Sequence, residues 1–500
     1  MERRGDLFEG LPPPKAFGVA MTECMDLKQI KSAHLIGVGG INMSAVAKIL
    51  LAAGIKVSGS DLVANDQTKI LTERGADIKI SEDSANIPEG CELVIVTSAA
   101  PVTNKERIAA AQRKIPEMTN FAFLSQWFAD YKTIVIAGTH GKSTTTAMLG
   151  LMMEKAGLDP TVVVGSKVPG FSDGNLRLGK SDLFVIEGDE YAHHFLEFHP
   201  YGLILNNLEL DHTDVFGDIE SLLVSFHEMV GKVKEGGIIV ANTSDSKITS
   251  ILETEMPTLL ARNVRVVRLG EGEDAWKLES KQVDLKREVT LSKDQITYRF
   301  NLAIPGHFNA MNAAAAALMT QGLGGKYEAI AASIQEFKGI WRRFEFLGEK
   351  NGALVYSDYG HHPTAVEATL KAARESFQDK RLVLCFQPHH RSRTKALFQD
   401  FVKSFDLADV LILCEIYDVA GRDEDKDKEV SSKQLVDAVA ERNRIRGVEN
   451  TVEFASDPAV SVARTFELVK ENDVVIFMGA GDIDGAVRNA ISTGTKRSEA

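Results

Sequence analysis

The sequence is poor in cysteine and has no long apolar run, and these absences exclude several classes of protein. Four cysteines occur in 500 residues, and no two are spaced as a Cys-x-x-Cys pair. This argues against a disulfide scaffold or a cysteine-type zinc site, and we expect reduced, buried thiols. No apolar segment reaches about 18 residues, so we expect no membrane span and no membrane partner. The first residues lead into no apolar signal segment, which predicts a cytoplasmic protein.

Basic residues are also fewer than acidic residues. The chain has 57 Lys and Arg against 70 Asp and Glu, a formal charge of −13. A nucleic-acid partner requires a basic face for its phosphates, so we predict none. An anionic small molecule is not excluded, because a few lysines and backbone amides can hold one phosphate group.

What is present indicates a large globular protein of the α/β class. Apolar residues make up 44% of the chain, and 500 residues predict about three domains. Short apolar runs alternate with helical segments, which is typical of doubly wound parallel sheets. An alternating patch near residues 264–304 predicts a small antiparallel sheet. The sequence leaves open whether the protein is a monomer or a homodimer.

These patterns give four predicted segments. They are an N-terminal extension at residues 1–30, a Rossmann-like domain at 31–130, a central P-loop ATPase-like domain with a mixed sheet at 131–338, and a C-terminal Rossmann-like domain at 339–500.

A glycine-containing loop follows the apolar run at residues 133–137 and precedes a predicted helix. Its residues are Gly138, Thr139, His140, Gly141, Lys142, Ser143 and Thr144. A strand, a loop and a helix in this order are the context that a phosphate loop requires, since the glycines let backbone amides close on the phosphates. We expect Lys142 to reach the outer phosphates of a nucleotide and the Ser143 hydroxyl to bind Mg²⁺.

Two further residues are candidate metal ligands. Glu187 ends an apolar strand, and His212 follows Asp211 in a loop after another strand. Strand ends in open α/β sheets are where carboxylates reach the metal of a nucleotide. A carboxylate and a neutral imidazole suit Mg²⁺ or Mn²⁺, so Ser143, Glu187 and His212 are the predicted ligands. A simple loop hydrogen bond is the alternative for Asp211 and His212.

A second glycine loop lies near the N-terminus, where Gly37, Gly39 and Gly40 follow the first predicted strand. Ser60 and Asp61 end the next strand, where an acid can face a ribose. The pattern predicts a site for a dinucleotide or a nucleoside diphosphate. Asn42 stands near the place of the third glycine of the usual fingerprint, so an ordinary tight turn remains the alternative.

Several polar residues downstream are candidates for ligand contacts. Asn309 is able to contact an adenine or a phosphate, or simply to cap the helix that follows it. Arg342 and Arg343 form either a phosphate clamp or a surface pair. Two loops, containing His361-His362 and His389-His390-Arg391-Ser392-Arg393, follow predicted strands, and their guanidiniums are able to hold a carboxylate. A zinc site is the alternative for so many histidines, but no Cys or HExxH spacing supports it.

Taken together, these motifs resemble those of the Mur ligases, the ATP-dependent amide-forming ligases of cell-wall precursor synthesis. The resemblance runs from about residue 34 to residue 484. It implies that the carboxylate of UDP-N-acetylmuramate attacks the terminal phosphate of ATP, giving an acyl phosphate, and that the amine of L-alanine then displaces phosphate. It also implies two cofactors, ATP and Mg²⁺.

The resemblance assigns expected roles to named residues. The implied catalytic residues are Lys142, Glu187, His212 and Arg343. The implied ATP-binding residues are the loop from Gly138 to Thr144 with Asn309, Arg343 and Asp358. The residues implied to contact the UDP-substrate are Gly37, Gly39, Gly40, Ser60 and Asp61. The residues implied to contact the amino acid are His361, His389, Arg391 and Arg393.

Three departures from the family pattern bear on these expectations. Asn42 replaces a glycine, Ala192 stands where an aspartate is usual, and His390-Arg391 replaces an Arg-Tyr pair. The last change makes amino-acid specificity the least determined property. A ligase that attaches a murein tripeptide to the same sugar nucleotide, and a nucleotide-binding relative without catalysis, remain the alternatives. A third alternative, a nicotinamide dehydrogenase, is supported only by Gly37, Gly39 and Gly40.

Overall fold

The computed structural model describes residues 25–211, 215–284, 286–418 and 429–492. These residues form two compact units, divided between Trp127 and Phe128. Three large sheets, each mostly parallel, carry the fold, so the predicted α/β class is confirmed. The predicted domain boundaries at residues 130 and 338 stay predictions. Within the described ranges, none of the helices has both the length and the apolar character needed to cross a bilayer.

The first unit is a five-stranded parallel sheet with the strand order β3-β2-β1-β4-β5. Its strands are β1 Ser32–Ile36, β2 Lys56–Asp61, β3 Asp77–Ile80, β4 Leu93–Val96 and β5 Glu117–Thr119, and its helices are α1 Ile41–Ala52, α2 Asp66–Glu73, α3 Lys105–Gln112 and α4 Asn120–Trp127. The strand order reverses at β1, and in such sheets ligands bind at this switch point, beyond the carboxyl ends of the strands.

The second unit begins with a seven-stranded sheet in the order β12-β11-β10-β6-β9-β7-β8, in which only β8 is antiparallel to its neighbour. Its strands are β6 Lys132–Ala137, β7 Thr161–Val163, β8 Leu176–Arg177, β9 Leu183–Glu187, β10 Gly202–Leu205, β11 Ile238–Asn242 and β12 Arg265–Leu269. Its helices are α5 Lys142–Lys155, α6 Ile219–Gly231, α7 Ser246–Ala261, α8 His307–Gly322 and α9 Tyr327–Glu336. Because β6 lies between β9 and β10, the loops that follow these three strands meet.

The small antiparallel sheet is present, but the predicted extent is partly wrong. Its strands are β13 Lys277–Val283, β14 Lys286–Lys293 and β15 Ile296–Leu302. The segment Arg265–Leu269 instead forms β12 and pairs in parallel with β11 at the edge of the large sheet. An edge strand is partly exposed, so it mixes apolar and polar residues, as an antiparallel strand with one solvent-facing side does.

The last sheet has six strands in the order β16-β17-β21-β18-β19-β20, with only β16 antiparallel. The strands are β16 Glu345–Lys350, β17 Ala353–Asp358, β18 Leu382–Phe386, β19 Val410–Cys414, β20 Thr451–Ala455 and β21 Val474–Met478. The helices are α10 Pro363–Ser376, α11 Arg391–Ala396, α12 Phe398–Ser404, α13 Ser432–Arg446, α14 Pro458–Leu468 and α15 Ile483–Ser492. An apolar cluster covers each face of this sheet.

The cysteines agree with the expected reduced state wherever the structure describes them. Cys91, Cys385 and Cys414 are buried and form no disulfide. Burial raises the pKa of the Cys385 thiol to about 12, so it is an inert, protonated core group. Cys24 lies outside the described residues.

We predict that Phe477→Ala lowers the free energy of unfolding of the second unit by about 3–5 kcal/mol, because the side chain is fully buried on the central strand β21. Phe454→Ala is the matched control, since Phe454 lies on the edge strand β20 and is 39% exposed. Urea unfolding followed by circular dichroism measures both changes. Equal losses in the two variants would contradict the assigned core.

Candidate functional site

The loop between β6 and α5 has the shape of a phosphate cradle. Gly138 and Gly141 adopt φ angles of 131° and 83°, which L side chains rarely adopt. A Cβ atom on Gly141 would lie 2.5 Å from the Oδ1 atom of Asn312, and one on Gly138 would lie 2.9 Å from the carbonyl oxygen of Asn207. Only glycine fits at these two positions, so the loop places its backbone at the N-terminus of α5, where anions are favoured.

Hydrogen bonds fix this loop against the segment after β10. The Thr139 hydroxyl donates to the carbonyl oxygen of Glu209 and accepts from the amide of the same residue, both at 2.9 Å. The amide of His140 donates to the side-chain oxygen of Asn207 at 2.8 Å. The loop is therefore rigid before any ligand binds.

Lys142 is held by a buried carboxylate that was not among the predicted site residues. Its Nζ atom donates to both carboxylate oxygens of Glu190, at 2.8 and 3.0 Å, and to the carbonyl oxygen of Gly138 at 2.7 Å. Burial disfavours the charged lysine, but Glu190 and Asp189 outweigh it and raise the pKa of Lys142. Burial, with Asp189 beside it, raises the pKa of Glu190 to about 7 in spite of the lysine.

The predicted metal ligands Ser143 and Glu187 lie side by side. The Ser143 hydroxyl donates to Glu187 Oε2 at 2.9 Å, and the amide of Gly165 donates to Glu187 Oε1 at 2.5 Å. Burial raises the pKa of Glu187, so its ionised form is poorly compensated by the protein. A hydroxyl and a carboxylate are oxygen donors, which suit Mg²⁺. The third predicted ligand, His212, lies outside the described residues.

A cavity of about 220 Å³ adjoins the loop and contains three more predicted residues, Asn309, Arg343 and Asp358. Part of its wall is apolar and aromatic, formed by Ile304, Phe308, Ile340 and Phe344. A flat apolar wall beside a phosphate cradle fits the base of a nucleotide.

These positions bear on two alternatives from the sequence, while the ligand contacts of Asn309 and Arg343 stay predictions. Asn309 does not cap α8, because the capping residue is Gly306 and the Asn309 amide donates to the carbonyl oxygen of Pro305 at 2.7 Å. The adjacent arginines have different surroundings. Arg342 is buried and donates to the carbonyl oxygens of Gly479 and Gly481. Arg343 lines the cavity.

Imidazoles and a guanidinium from the last sheet converge on Asp211. The Arg393 guanidinium donates to Asp211 Oδ1 at 2.6 and 2.9 Å, and both side chains are buried. His361 Nε2 lies 3.9 Å from Asp211 Oδ2, and the ring of His389 lies 5.8 Å from that of His361. Burial and the nearby Arg393 hold the pKa of His361 well below its usual value, so its imidazole is neutral.

Arg391, the other predicted amino-acid contact, is placed differently. Its guanidinium forms an ion pair with Asp418 at 2.9 Å and donates to the carbonyl oxygen of Val430 at 2.9 Å. Arg391 therefore pairs with residues that follow β19, and its contact with an amino acid stays a prediction.

The five predicted residues of the first unit lie together at the ends of β1 and β2: Gly37, Gly39, Gly40, Ser60 and Asp61. The amide of Gly39 donates to Asp61 Oδ2 at 2.8 Å, and the Ser60 hydroxyl donates to Glu106 Oε2 at 2.5 Å. Asp61 and Ser60 thus shape the loop from within the protein. Their contact with a substrate stays a prediction.

Sequence reasoning did not name Glu190 as a site residue, and it gave His362 no role beyond its place in the His361-His362 loop. Glu190 lies shortly after β9, which ends at Glu187, and a carboxylate near a strand end is the signal that identified Glu187. His362 caps α10, and its Nδ1 atom lies 3.6 Å from Glu209. A histidine before a proline is a recognisable helix start, but its neighbour across the cleft depends on the fold.

Three segments of the chain match Mur ligase families. Residues 32–132 match the Mur ligase family catalytic domain, residues 136–320 the Mur ligase middle domain, and residues 342–481 the Mur ligase glutamate ligase domain. The chain is 37% identical to a UDP-N-acetylmuramate–L-alanine ligase of Alkaliphilus metalliredigens over 471 residues, which covers 92% of this chain and 96% of the relative.

Solved structures with the same fold are also found. The UDP-N-acetylmuramate-alanine ligase MurC of Thermotoga maritima superimposes with a TM-score of 0.77 at 25% identity, covering 93% of this chain and 99% of that one. A murein peptide ligase of Psychrobacter arcticus superimposes with a TM-score of 0.67 at 23% identity, covering 92% and 98%. The second likeness is one of fold.

We predict that Asp211→Ala and Arg393→Ala each lower the free energy of unfolding by about 3–5 kcal/mol, because each leaves a buried charge without its partner. The double variant should lose about 1–3 kcal/mol less than the sum. Denaturant unfolding of all four proteins measures this coupling.

The pair of Arg464 and Glu453 is the control, since its side chains are 40% and 31% exposed at a distance of 2.7 Å. Its coupling should stay below about 1 kcal/mol. If the losses in the free energy of unfolding of Asp211→Ala and Arg393→Ala simply add up in the double variant, the two side chains are not coupled, and this would contradict the buried ion pair.

Proposed function

Since this chain belongs to the Mur ligase family, we propose that it joins L-alanine to UDP-N-acetylmuramate with conversion of ATP to ADP and phosphate, in peptidoglycan precursor synthesis. The observation that carries the proposal is the arrangement around Lys142. A phosphate cradle, an oxygen-donor pair and a cavity with an apolar wall meet there, and the cluster around Asp211 contributes groups that bind a carboxylate.

The first step would transfer the terminal phosphoryl group of ATP to the sugar-borne carboxylate. A carboxylate oxygen forms a bond to the γ-phosphorus, the bond to the β–γ bridging oxygen breaks, and ADP leaves. The Lys142 ammonium and the Arg343 guanidinium would stabilise the negative charge that develops on the phosphoryl oxygens. The backbone amides of the loop from Gly138 to Thr144 would hold the β- and γ-phosphates.

Glu190 would release Lys142 when a nucleotide binds. Its carboxylate accepts hydrogen bonds from the Lys142 Nζ atom, and a phosphate oxygen would compete for the same donor. Because its pKa is raised to about 7, Glu190 can take up a proton near neutral pH when it loses its partner.

Mg²⁺ would be held by Ser143 and Glu187, with His212 as a further ligand, and when bound it would neutralise charge on the phosphates. The hydroxyl and the carboxylate are oxygen donors, which suit this ion, and the role of the His212 imidazole rests on the family resemblance.

The second step would form the amide bond. The amine of L-alanine attacks the acyl carbon, the bond from that carbon to the phosphate oxygen breaks, phosphate leaves, and the amine proton passes to solvent or to a nearby base. Arg393 would bind the carboxylate of the amino acid, and His389 would lie beside it. The neutral imidazole of His361 would accept a hydrogen bond from the amine.

The first unit would hold the UDP part of the substrate through the loop at Gly37, Gly39 and Gly40 and through Ser60 and Asp61. Its switch-point topology supports this assignment, since nucleotides bind at such positions in open α/β sheets. The substrates are charged and water-soluble, which supports action in the cytoplasm.

We predict that Lys142→Ala reduces L-alanine-dependent phosphate release by about 10²–10³-fold in kcat, because a charged group that stabilises the phosphoryl oxygens is lost. Lys155→Ala is the control on the same helix: Lys155 is half exposed, pairs with Glu336 at 3.4 Å and should keep full activity. Phosphate release with UDP-N-acetylmuramate present measures both. Normal turnover by Lys142→Ala would refute the phosphate-loop assignment.

We predict that the wild-type protein releases phosphate with L-alanine in preference to glycine, L-serine and a murein tripeptide. The compact cluster around Asp211, with Arg393 as the carboxylate ligand, favours a small amino acid. Steady-state kcat/KM values for the four acceptors give the order. Release with the tripeptide alone would establish the tripeptide-ligase alternative, and no release with any acceptor would favour the non-catalytic one.

A further inference from the structure

Three side chains from different parts of the second unit converge at the rim of the nucleotide cavity. His140 belongs to the phosphate loop, Glu209 follows β10, and His362 caps α10. One donor atom of each lies within 4.8 Å of those of the other two. The ligase mechanism above uses the backbone of His140, but it uses none of these three side-chain groups.

The separations fit the edges of a metal coordination polyhedron. His140 Nε2 lies 3.2 Å from Glu209 Oε2, and His362 Nδ1 lies 3.6 Å from the same oxygen. With metal–ligand distances of about 2.0–2.2 Å, the donors of a tetrahedral ion are about 3.3–3.6 Å apart. The two observed separations lie close to this range, and the third, between the two imidazole donors, is within 4.8 Å.

The donors are positioned by the backbone and by local hydrogen bonds. Reciprocal bonds between Thr139 and Glu209 keep the carboxylate beside the phosphate loop, and Asn207 fixes the backbone of His140. His362 Nδ1 accepts from the amide of Thr364 at 3.3 Å, as the cap of α10, and this bond holds the ring beside Glu209. An imidazole nitrogen has one acceptor lone pair, so an ion bound at Nδ1 would take the place of this cap bond.

The chemistry of the donors selects the ion. Two imidazoles and one carboxylate suit Zn²⁺ and related divalent transition metals, whereas Mg²⁺ prefers oxygen donors. The side chains of His140 and Glu209 are 26% and 34% exposed, which gives an ion access from solvent. Both residues also line the nucleotide cavity.

We propose that His140, Glu209 and His362 form a binding site for one divalent transition-metal ion of the Zn²⁺ class. This site is separate from the oxygen-donor pair of Ser143 and Glu187. A bound ion ties the phosphate loop to the start of α10 and leaves at least one coordination position open toward solvent.

The test is a calorimetric titration of Zn²⁺ into the full chain, stripped of metal with a chelator, at neutral pH with Mg²⁺ in excess and without nucleotide. We expect one Zn²⁺ per chain at this site. In His362→Asn the affinity should fall by about tenfold or more. Asparagine keeps an acceptor for the helix cap, so this variant removes the imidazole without removing the cap.

His227→Asn is the matched control, because His227 pairs with the carboxylate of Glu255 at 3.3 Å in a comparable histidine–glutamate contact. It should bind Zn²⁺ as the wild type does. Co²⁺ substitution gives a second readout: tetrahedral d–d absorption bands in the wild type and in His227→Asn, and their loss in His362→Asn.

Two outcomes would overturn the proposal. One is the absence of Zn²⁺ binding to the wild type under these conditions, and the other is equal affinity in His362→Asn and His227→Asn. If His362→Asn fails to fold by circular dichroism, Glu209→Gln takes its place with the same expectation. The titration contains neither ATP nor acceptor, so its result is independent of the ligase proposal.

Discussion

The structure around the candidate site depends on one ion pair, between the partly buried Lys142 and the buried Glu190. An ammonium removed from water costs several kcal/mol unless a carboxylate and further hydrogen bonds compensate it. Here two carboxylate oxygens and the Gly138 carbonyl oxygen supply that compensation. The pair holds the Lys142 ammonium near the N-terminus of α5, where the helix dipole also favours an anion.

Strand order explains why these groups meet. β6 is flanked by β9 and β10, so the phosphate loop, Glu187 with Glu190, and the segment leading to Asp211 leave the sheet at one edge. Loops that follow strands of the last sheet also reach this region, and the buried ion pair of Asp211 and Arg393 joins them to this edge. Groups that would bind phosphate, metal and amino acid are held by adjacent strand ends, which is the general location of sites in α/β folds.

Local features of this arrangement were predictable from sequence, and distant contacts were not. The strand, glycine loop and helix around Lys142 have short-range signals, and Glu187 was identified because it ends an apolar strand. Glu190 lies 48 positions from Lys142 and Arg393 lies 182 positions from Asp211, so their pairing depends on strand order. The segment Arg265–Leu269 was assigned to the wrong sheet, because an exposed edge strand has the same pattern as an antiparallel one.

The account rests on the transfer of the terminal phosphoryl group of ATP to a carboxylate oxygen. The most direct measurement uses UDP-N-acetylmuramate labelled with ¹⁸O in its carboxylate, followed by mass spectrometry of the products formed with ATP and L-alanine. We predict that one ¹⁸O atom appears in the released phosphate, because the attacking oxygen leaves with the phosphorus. Unlabelled phosphate together with label in AMP would contradict the account, since the carboxylate would then have attacked the α-phosphorus.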